Sequence, residues 1–186
     1  VLVKTTNSSD TSSLSEIVEG VRKNQQWAQV ALYDQFFQPA YYTAYRIVKN
    51  KMSAEDAVHE GFIKAFGKIK SLKNPETVEG WLKRIVLNEV LQRIRAEKHY
   101  SDPITDDNLA EEELEEEKKI PLQKLLESIE ELPEGYRIIC QLNLIEEMKH
   151  EEIAESLGIT ASTSRSQLAR AKTKLKEIIH RKGIVK

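Results

Sequence analysis

From Leu14 to about His99, apolar positions recur at three- and four-residue steps, and that spacing predicts four helices. The first covers about Leu14 to Asn24 and ends in a polar KNQQ connector. The second covers about Trp27 to Lys49 and offers Ala28, Ala31, Leu32, Phe36, Tyr42, Ala44, Tyr45 and Val48 to a core. Pro39 falls inside it, which predicts a kink or a break, because proline removes one backbone donor and crowds the preceding turn. The third starts after Ser53 as a cap, with Glu55 and Asp56 in a first turn where the helix dipole favours acids. It continues through Ala57, Val58, Phe62, Ile63, Phe66 and Ile69. Gly61 within it costs about 1 kcal/mol relative to alanine, so a close approach of another element is expected there. A loop, SLKNPET, precedes the fourth helix, about Val78 to His99, whose apolar positions are Trp81, Leu82, Ile85, Val86, Val90, Leu91 and Ile94. Trp81, at the start of a packed helix, reads as core rather than as a base-stacking ring.

A second periodic region begins at Pro121, with a further helix start at Pro133. Near its end, Glu151 to Leu157 reads as a short helix, Gly158 as its break and Thr160 as the cap of the next. Ala154 and Gly158 lie four apart, the small-residue spacing that lets two helices cross closely in a helix-turn-helix. The last helix, Ala161 to about Lys182, divides by face. Leu168, Ala171, Leu175 and Ile178 step inward, while Arg165, Ala169, Lys172 and Lys176 recur elsewhere, with Ser162, Ser166 and Arg170 beside them. Short polar residues flanked by cations suit a major groove, where the cations meet phosphate and the short side chains approach base edges. A solvated Lys/Arg face on an ordinary bundle helix is the alternative.

Few glycines and prolines (seven and five) and few alternating runs point to an all-α chain of 186 residues. The pattern gives a mobile leader (1–13), a first helical domain (14–100), a flexible acidic linker (101–120) and a C-terminal helix-turn-helix domain (121–186). The formal charge of −2 conceals an asymmetry. The linker holds nine acids and two lysines, leaving 26 basic against 21 acidic residues in the rest, so a basic body carries an acidic strap. Such a strap reads first as a solvated tether. Cys140, the single cysteine, sits among Ile138, Ile139 and Leu142 and reads as a buried structural thiol. No apolar run has the length of a membrane span and no signal peptide is legible, which fits a reducing cytoplasm.

These residues resemble a bacterial RNA polymerase sigma factor of the extracytoplasmic-function group of the sigma-70 family, over roughly residues 14–100 and 121–180. AEDAVHEGFIKAF (Ala54 to Phe66) resembles the helix by which such factors clasp the clamp helices of the polymerase beta-prime subunit. The resemblance therefore implies a core polymerase-binding face of Glu55, Asp56, His59, Glu60, Phe62 and Ile63. WLKRIVLN (Trp81 to Asn88), followed by Gln92 and Arg95, resembles the helix that handles the melted −10 promoter element. It implies single-strand contacts from Lys73, Asn74, Lys83, Arg84, Asn88 and Gln92, with the Ser71–Asn74 loop closing over an everted base. The spacing alone places residues 84, 88 and 92 on one stripe, which an ordinary wet helix face also explains. LPEGYR and the helix-turn-helix resemble the domain that reads the −35 element as duplex, which implies contacts from Ser162, Thr163, Arg165, Ser166, Ala169, Arg170 and Lys172. Four positions depart from the family pattern: His59 for a usual Gln, Gln92 for Asp or Asn, Ser164 for a small apolar residue, which predicts looser packing, and Gln167 for a frequent Arg.

The implied partners are core RNA polymerase, through its beta-prime clamp helices and beta flap, promoter DNA, and an anti-sigma factor. The implied linker threads toward the polymerase cleft. A stand-alone helix-turn-helix regulator, dimeric and binding palindromic duplex unaided, is the main alternative, and a purely protein-binding adaptor a third. No catalytic set is expected. His150-Glu151-Glu152 lacks the second histidine of HExxH, since Ala154 stands there, and no phosphate loop, nucleophile–base set or metal spacing is present in the sequence. No cofactor, metal or membrane insertion is expected.

Overall fold

The computed structural model describes residues 13–97 and 120–184. The expected leader up to residue 12 and nearly all of the acidic strap lie outside the described residues. What is described is helical, with no strand among the described residues. It divides into two compact units, one of residues 13–45 with 50–89, the other of residues 46–49 with 90–184.

In the first unit, α1 (Leu14–Arg22) starts on a reciprocal cap. The Ser13 hydroxyl accepts from the Glu16 amide at 3.2 Å, and the Ser13 amide donates to the Glu16 carboxylate at 2.8 Å. Ile17, Val18 and Val21 form its buried face. The next helix, α2 (Gln26–Val48), passes through Pro39 without interruption. Proline 39 is exposed, so the carbonyl four residues back, which loses its helical partner, can take water instead. Tyr42, expected in the core, is 55% exposed.

The third helix, α3 (Lys51–Lys68), begins three residues earlier than expected. Asn50, extended at φ −125° and ψ 123°, accepts from the Ser53 amide at 3.0 Å, so Asn50 and not Ser53 is the cap. Glu55 and Asp56 consequently fall beyond the first turn. The close approach expected at Gly61 is present. A Cβ there would lie 2.7 Å from Val86 Cγ2 and 3.2 Å from Val86 Cα on α4 (Val78–Glu97). Two short 3-10 turns, Ile69–Ser71 and Pro75–Thr77, connect α3 to α4 and pack against α1.

Beside that seam, Lys64 Nζ meets the carboxylate of Glu89 on α4 at 2.5 Å, with the Glu89 side chain only 9% exposed. Removing one partner of a buried pair costs more than replacing both by apolar groups, because it strands a charge. Lys64→Met is expected to destabilise the protein by about 1–3 kcal/mol, discounted because the lysine is 36% exposed. Adding Glu89→Leu should recover most of that loss. Urea unfolding of the single and double variants checks this, and a double variant weaker than Lys64→Met would refute it.

In the second unit, α5 (Leu122–Ile129), α6 (Glu134–Cys140) and α7 (His150–Leu157) each pack against α8 (Ala161–Arg181). Pro121 and Pro133 occupy the caps of α5 and α6, one position before the first helical residue. Beyond Cys140 the chain widens into a π-helical segment, Gln141–Ile145, which the periodicity did not announce. It ends where the Met148 amide donates to the Leu142 carbonyl at 2.9 Å, turning Met148 into the core. Cys140 is buried, and burial pushes its thiol up to about 11, so it stays protonated as a small apolar group. Leu168, Ala171, Leu175 and Ile178 are all buried, as their spacing requires.

Candidate nucleic-acid interface

The α7–turn–α8 segment is fixed by its own backbone chemistry. Lys149 precedes α7 in extended conformation, and its amide donates to the Glu152 carboxylate at 3.0 Å. Gly158 closes α7 at φ 73° and ψ 32°, a left-handed conformation that glycine adopts without the Cβ penalty. The amides of Gly158 and Ile159 both donate to the Ala154 carbonyl, at 2.9 and 3.0 Å. Thr160 then caps α8, accepting from the Thr163 amide at 3.0 Å. Every backbone feature expected of a helix-turn-helix is present.

On α8, Ser162, Arg165, Ser166, Ala169 and Lys172 are exposed, while Thr163 and Arg170 are half-buried. Steps of three and four residues put the exposed set on one stripe, opposite Leu168, Ala171 and Leu175. Several of these side chains have prior engagements. Thr163 shares a hydroxyl hydrogen bond with Thr160 at 2.8 Å, and the Ser166 hydroxyl donates back to the Thr163 carbonyl at 3.0 Å. Arg165 Nη2 donates to Glu151 on α7 at 2.6 Å. At the far end of α8, Arg181 and Lys182 both pair with Glu131 at 2.6 Å, and these cations hold its carboxyl below the usual carboxylate range.

Two departures from the family pattern acquire a structural meaning. Ser164 is fully buried, and its hydroxyl lies 2.9 Å from His150 Nδ1. The looser packing expected from a polar residue there is replaced by a hydrogen bond between the two helices. Gln167 is 2% exposed and faces inward, so it is not on the outer stripe.

Along α4, Asn88 and Gln92 are exposed, with Lys83 and Arg84 half-buried. Unbroken helix from Val78 to Glu97 places residues 84, 88 and 92 along one side. Of the loop before α4, Lys73 and Asn74 are exposed, but Leu72 is buried and anchors it, with its carbonyl accepting from Arg22 Nη2 on α1. The reading of Leu72 as part of a closing loop therefore gives way to an anchor, and Arg22 was not legible as its holder. Asn74 also has a structural task, since its side-chain oxygen accepts from the Glu76 amide at 3.1 Å.

On α3, Glu55, Asp56 and His59 are exposed, Glu60 half-buried and Ile63 64% exposed. Phe62 is a correction. It is 2% exposed, packed with its ring centroid 4.8 Å from that of Tyr33, and belongs to the core rather than to a docking face. Met52, near the start of α3, is 74% exposed. His59 Nε2 lies 2.8 Å from the Tyr33 hydroxyl, with the His59 ring stacked near Tyr33 and Phe37. Burial, then Asp34 and Glu55, raises the Tyr33 phenol pKa, so it remains a protonated partner for His59 at neutral pH.

The family described as Sigma-70 region 2 matches residues 32–100, and that described as Sigma-70, region 4 matches residues 122–175. The chain is similar to RNA polymerase sigma factor SigV of Bacillus subtilis, 32% identical over 136 residues, covering 72% of this chain and 80% of that protein. It is 34% identical over 149 residues to ECF RNA polymerase sigma factor SigE of Mycolicibacterium smegmatis, covering 75% of this chain and 56% of that protein. A solved complex of the sigma factor RpoE with the anti-sigma factor NepR from Bartonella quintana aligns at TM-score 0.47 and 21% identity, over 81% of this chain and 95% of that one. No described helix is long and apolar enough to cross a membrane.

Proposed function

The chain belongs to the extracytoplasmic-function group of the sigma-70 family of RNA polymerase sigma factors, and from that membership we propose a residue-level division of labour at the promoter. As a sigma factor it directs RNA polymerase, and its partners are core polymerase and promoter DNA. Residues 14–100 dock on core enzyme through Glu55, Asp56, His59, Glu60 and Ile63, joined by Met52. They hold the opened −10 strand through Lys83, Arg84, Asn88 and Gln92, with Lys73 and Asn74 beside it. Residues 121–186 read the −35 duplex from the outer stripe of α8, with Arg165, Arg170 and Lys172 as cations and Ser162, Thr163, Ser166 and Ala169 as the close-approach surface. Residues 101–120 tether the two. The cytoplasm is the place of action, and an anti-sigma factor is the expected inhibitor by resemblance to the family. Catalysis of its own is not part of the role.

The observation that carries this reading is the order of the two family matches along one chain, region 2 ahead of region 4. The physical reading of α8 supports it independently, because exposed short polar residues alternate with cations there. The stand-alone regulator has no observation in its favour. Mapping of transcription starts with core polymerase and a promoter library tests the role: strand opening that requires both protein components supports it, and unaided tight binding to palindromic duplex overturns it. Within that assay Arg165→Ala is expected to lose about 1–3 kcal/mol of discrimination at one −35 base pair. A loss equal across all sequences would make Arg165 a phosphate anchor instead.

A further inference from the structure

Two consecutive residues of α7 hold two consecutive residues of α8: His150 meets Ser164, and Glu151 meets Arg165. The first link is inside, with Ser164 fully buried. The second is outside, with the side chains of Arg165 and Glu151 57% and 65% exposed. From this double clasp, and resting on the assignment of α8 to the −35 duplex, we infer that Glu151 is a specificity-determining positioning residue, which holds the Arg165 guanidinium for a base edge and keeps it off the phosphate backbone.

The inner link makes the outer one directional. A part-buried hydrogen bond between adjacent helices fixes the register of α7 against α8 one residue before Arg165, so the Glu151 carboxylate stands at a set position beside the helix. Glu151 also sits in the first turn of α7, where the helix dipole favours an anion. Its bond takes one nitrogen of the guanidinium, Nη2, whereas arginine has five N–H donors in a planar fork. Donors on the fork therefore remain for a second acceptor while one end is held.

Stability is not what this pair supplies, since an exposed ion pair contributes little to folding. Two other effects remain. An arginine already held loses less rotamer freedom when it meets a base. A carboxylate at its side repels phosphate, so the swing of Arg165 from base edge to backbone is disfavoured while the base contact, neutral and polar, is not. Glu151 would thus trade overall affinity for discrimination.

This trade gives two readouts of opposite sign. The full chain with core polymerase is assayed on promoters carrying each −35 base-pair change in turn, alongside binding to a duplex without a promoter. With Glu151→Gln, the preference at one base pair should fall severalfold from the tenfold or more that a good bidentate contact gives. Binding to the non-promoter duplex should hold or rise, and Glu151→Asp should restore part of the preference. Loss of preference together with loss of non-promoter binding would mean a merely structural role and overturns the inference. A preference unchanged by Glu151→Gln, while Arg165→Ala flattens it, also overturns the inference, though it leaves the −35 assignment standing. If Arg165→Ala leaves every preference intact, the assignment of Arg165 itself falls, and the inference with it.

Discussion

Ile153→Ala is expected to destabilise the protein by about 3 kcal/mol and to abolish most promoter-directed transcription at elevated temperature. Ile153 is fully buried on α7, the first helix of the helix-turn-helix, and its removal leaves a cavity where α7 meets the core of the second unit. Ile→Ala at such sites costs about 2–5 kcal/mol, from lost transfer energy plus a void that neighbours fill only partly. At roughly 4–8 °C per kcal/mol for a unit of this size, the thermal midpoint should fall by more than about 10 °C. Both clasp residues, His150 and Glu151, ride on the same helix, so Arg165 loses its holder when α7 loosens. Far-ultraviolet circular dichroism during heating, with transcription assayed below the midpoint, checks the result. An unshifted midpoint would mean that α7 does not depend on this contact.

A comparable loss is expected in the first unit from Gly61→Val. The close contact with Val86 involves the backbone Cα of α4 as well as a side-chain methyl, so a branched side chain has no rotamer that relieves it. Overpacking of this kind costs about 1–3 kcal/mol, occasionally more, and the upper end applies where backbone must move. The better helix propensity of valine returns only a fraction of a kcal/mol. Separation of α3 from α4 also draws Lys64 away from Glu89, leaving a carboxylate with poor access to water. Gly61→Ala is the milder form, and Gly61→Ala with Val86→Ala should regain stability relative to Gly61→Ala alone. If Gly61→Val melted at the wild-type temperature, the seam would have to be looser than its distances state.

Some of the site was legible because it rests on local backbone rules. Gly158 at the left-handed turn and Thr160 at the cap follow from what glycine and a short hydroxyl side chain do at helix ends, and both stand where the sequence put them. The inward face of α8 was equally legible, because a long uninterrupted helix has one period. Legibility failed where two local rules competed. Asn50 and Ser53 are both good caps, and the helix starts from Asn50, directly after Lys49 at φ 55°. Phe62 and Ile63 are both apolar and adjacent. One is in the core and the other at the surface, because α2 packs on a single side of α3.

The sequence by itself determined an all-helical chain, its helix-turn-helix punctuation, the interior thiol at Cys140 and the family to which it belongs. Those rest on periodicity, on end-of-helix chemistry and on motif order, all of which act over a few residues or survive as text. Tertiary structure alone decided which side chains hold which. The pairing of His150 with Ser164 and Glu151 with Arg165, the grip of Arg22 on the Leu72 carbonyl, and the burial of Glu89 against Lys64 join residues 14 to 50 positions apart. The physical reason is that helix periodicity fixes which way a side chain faces, whereas its partner depends on where a second helix lies, and only packing sets that.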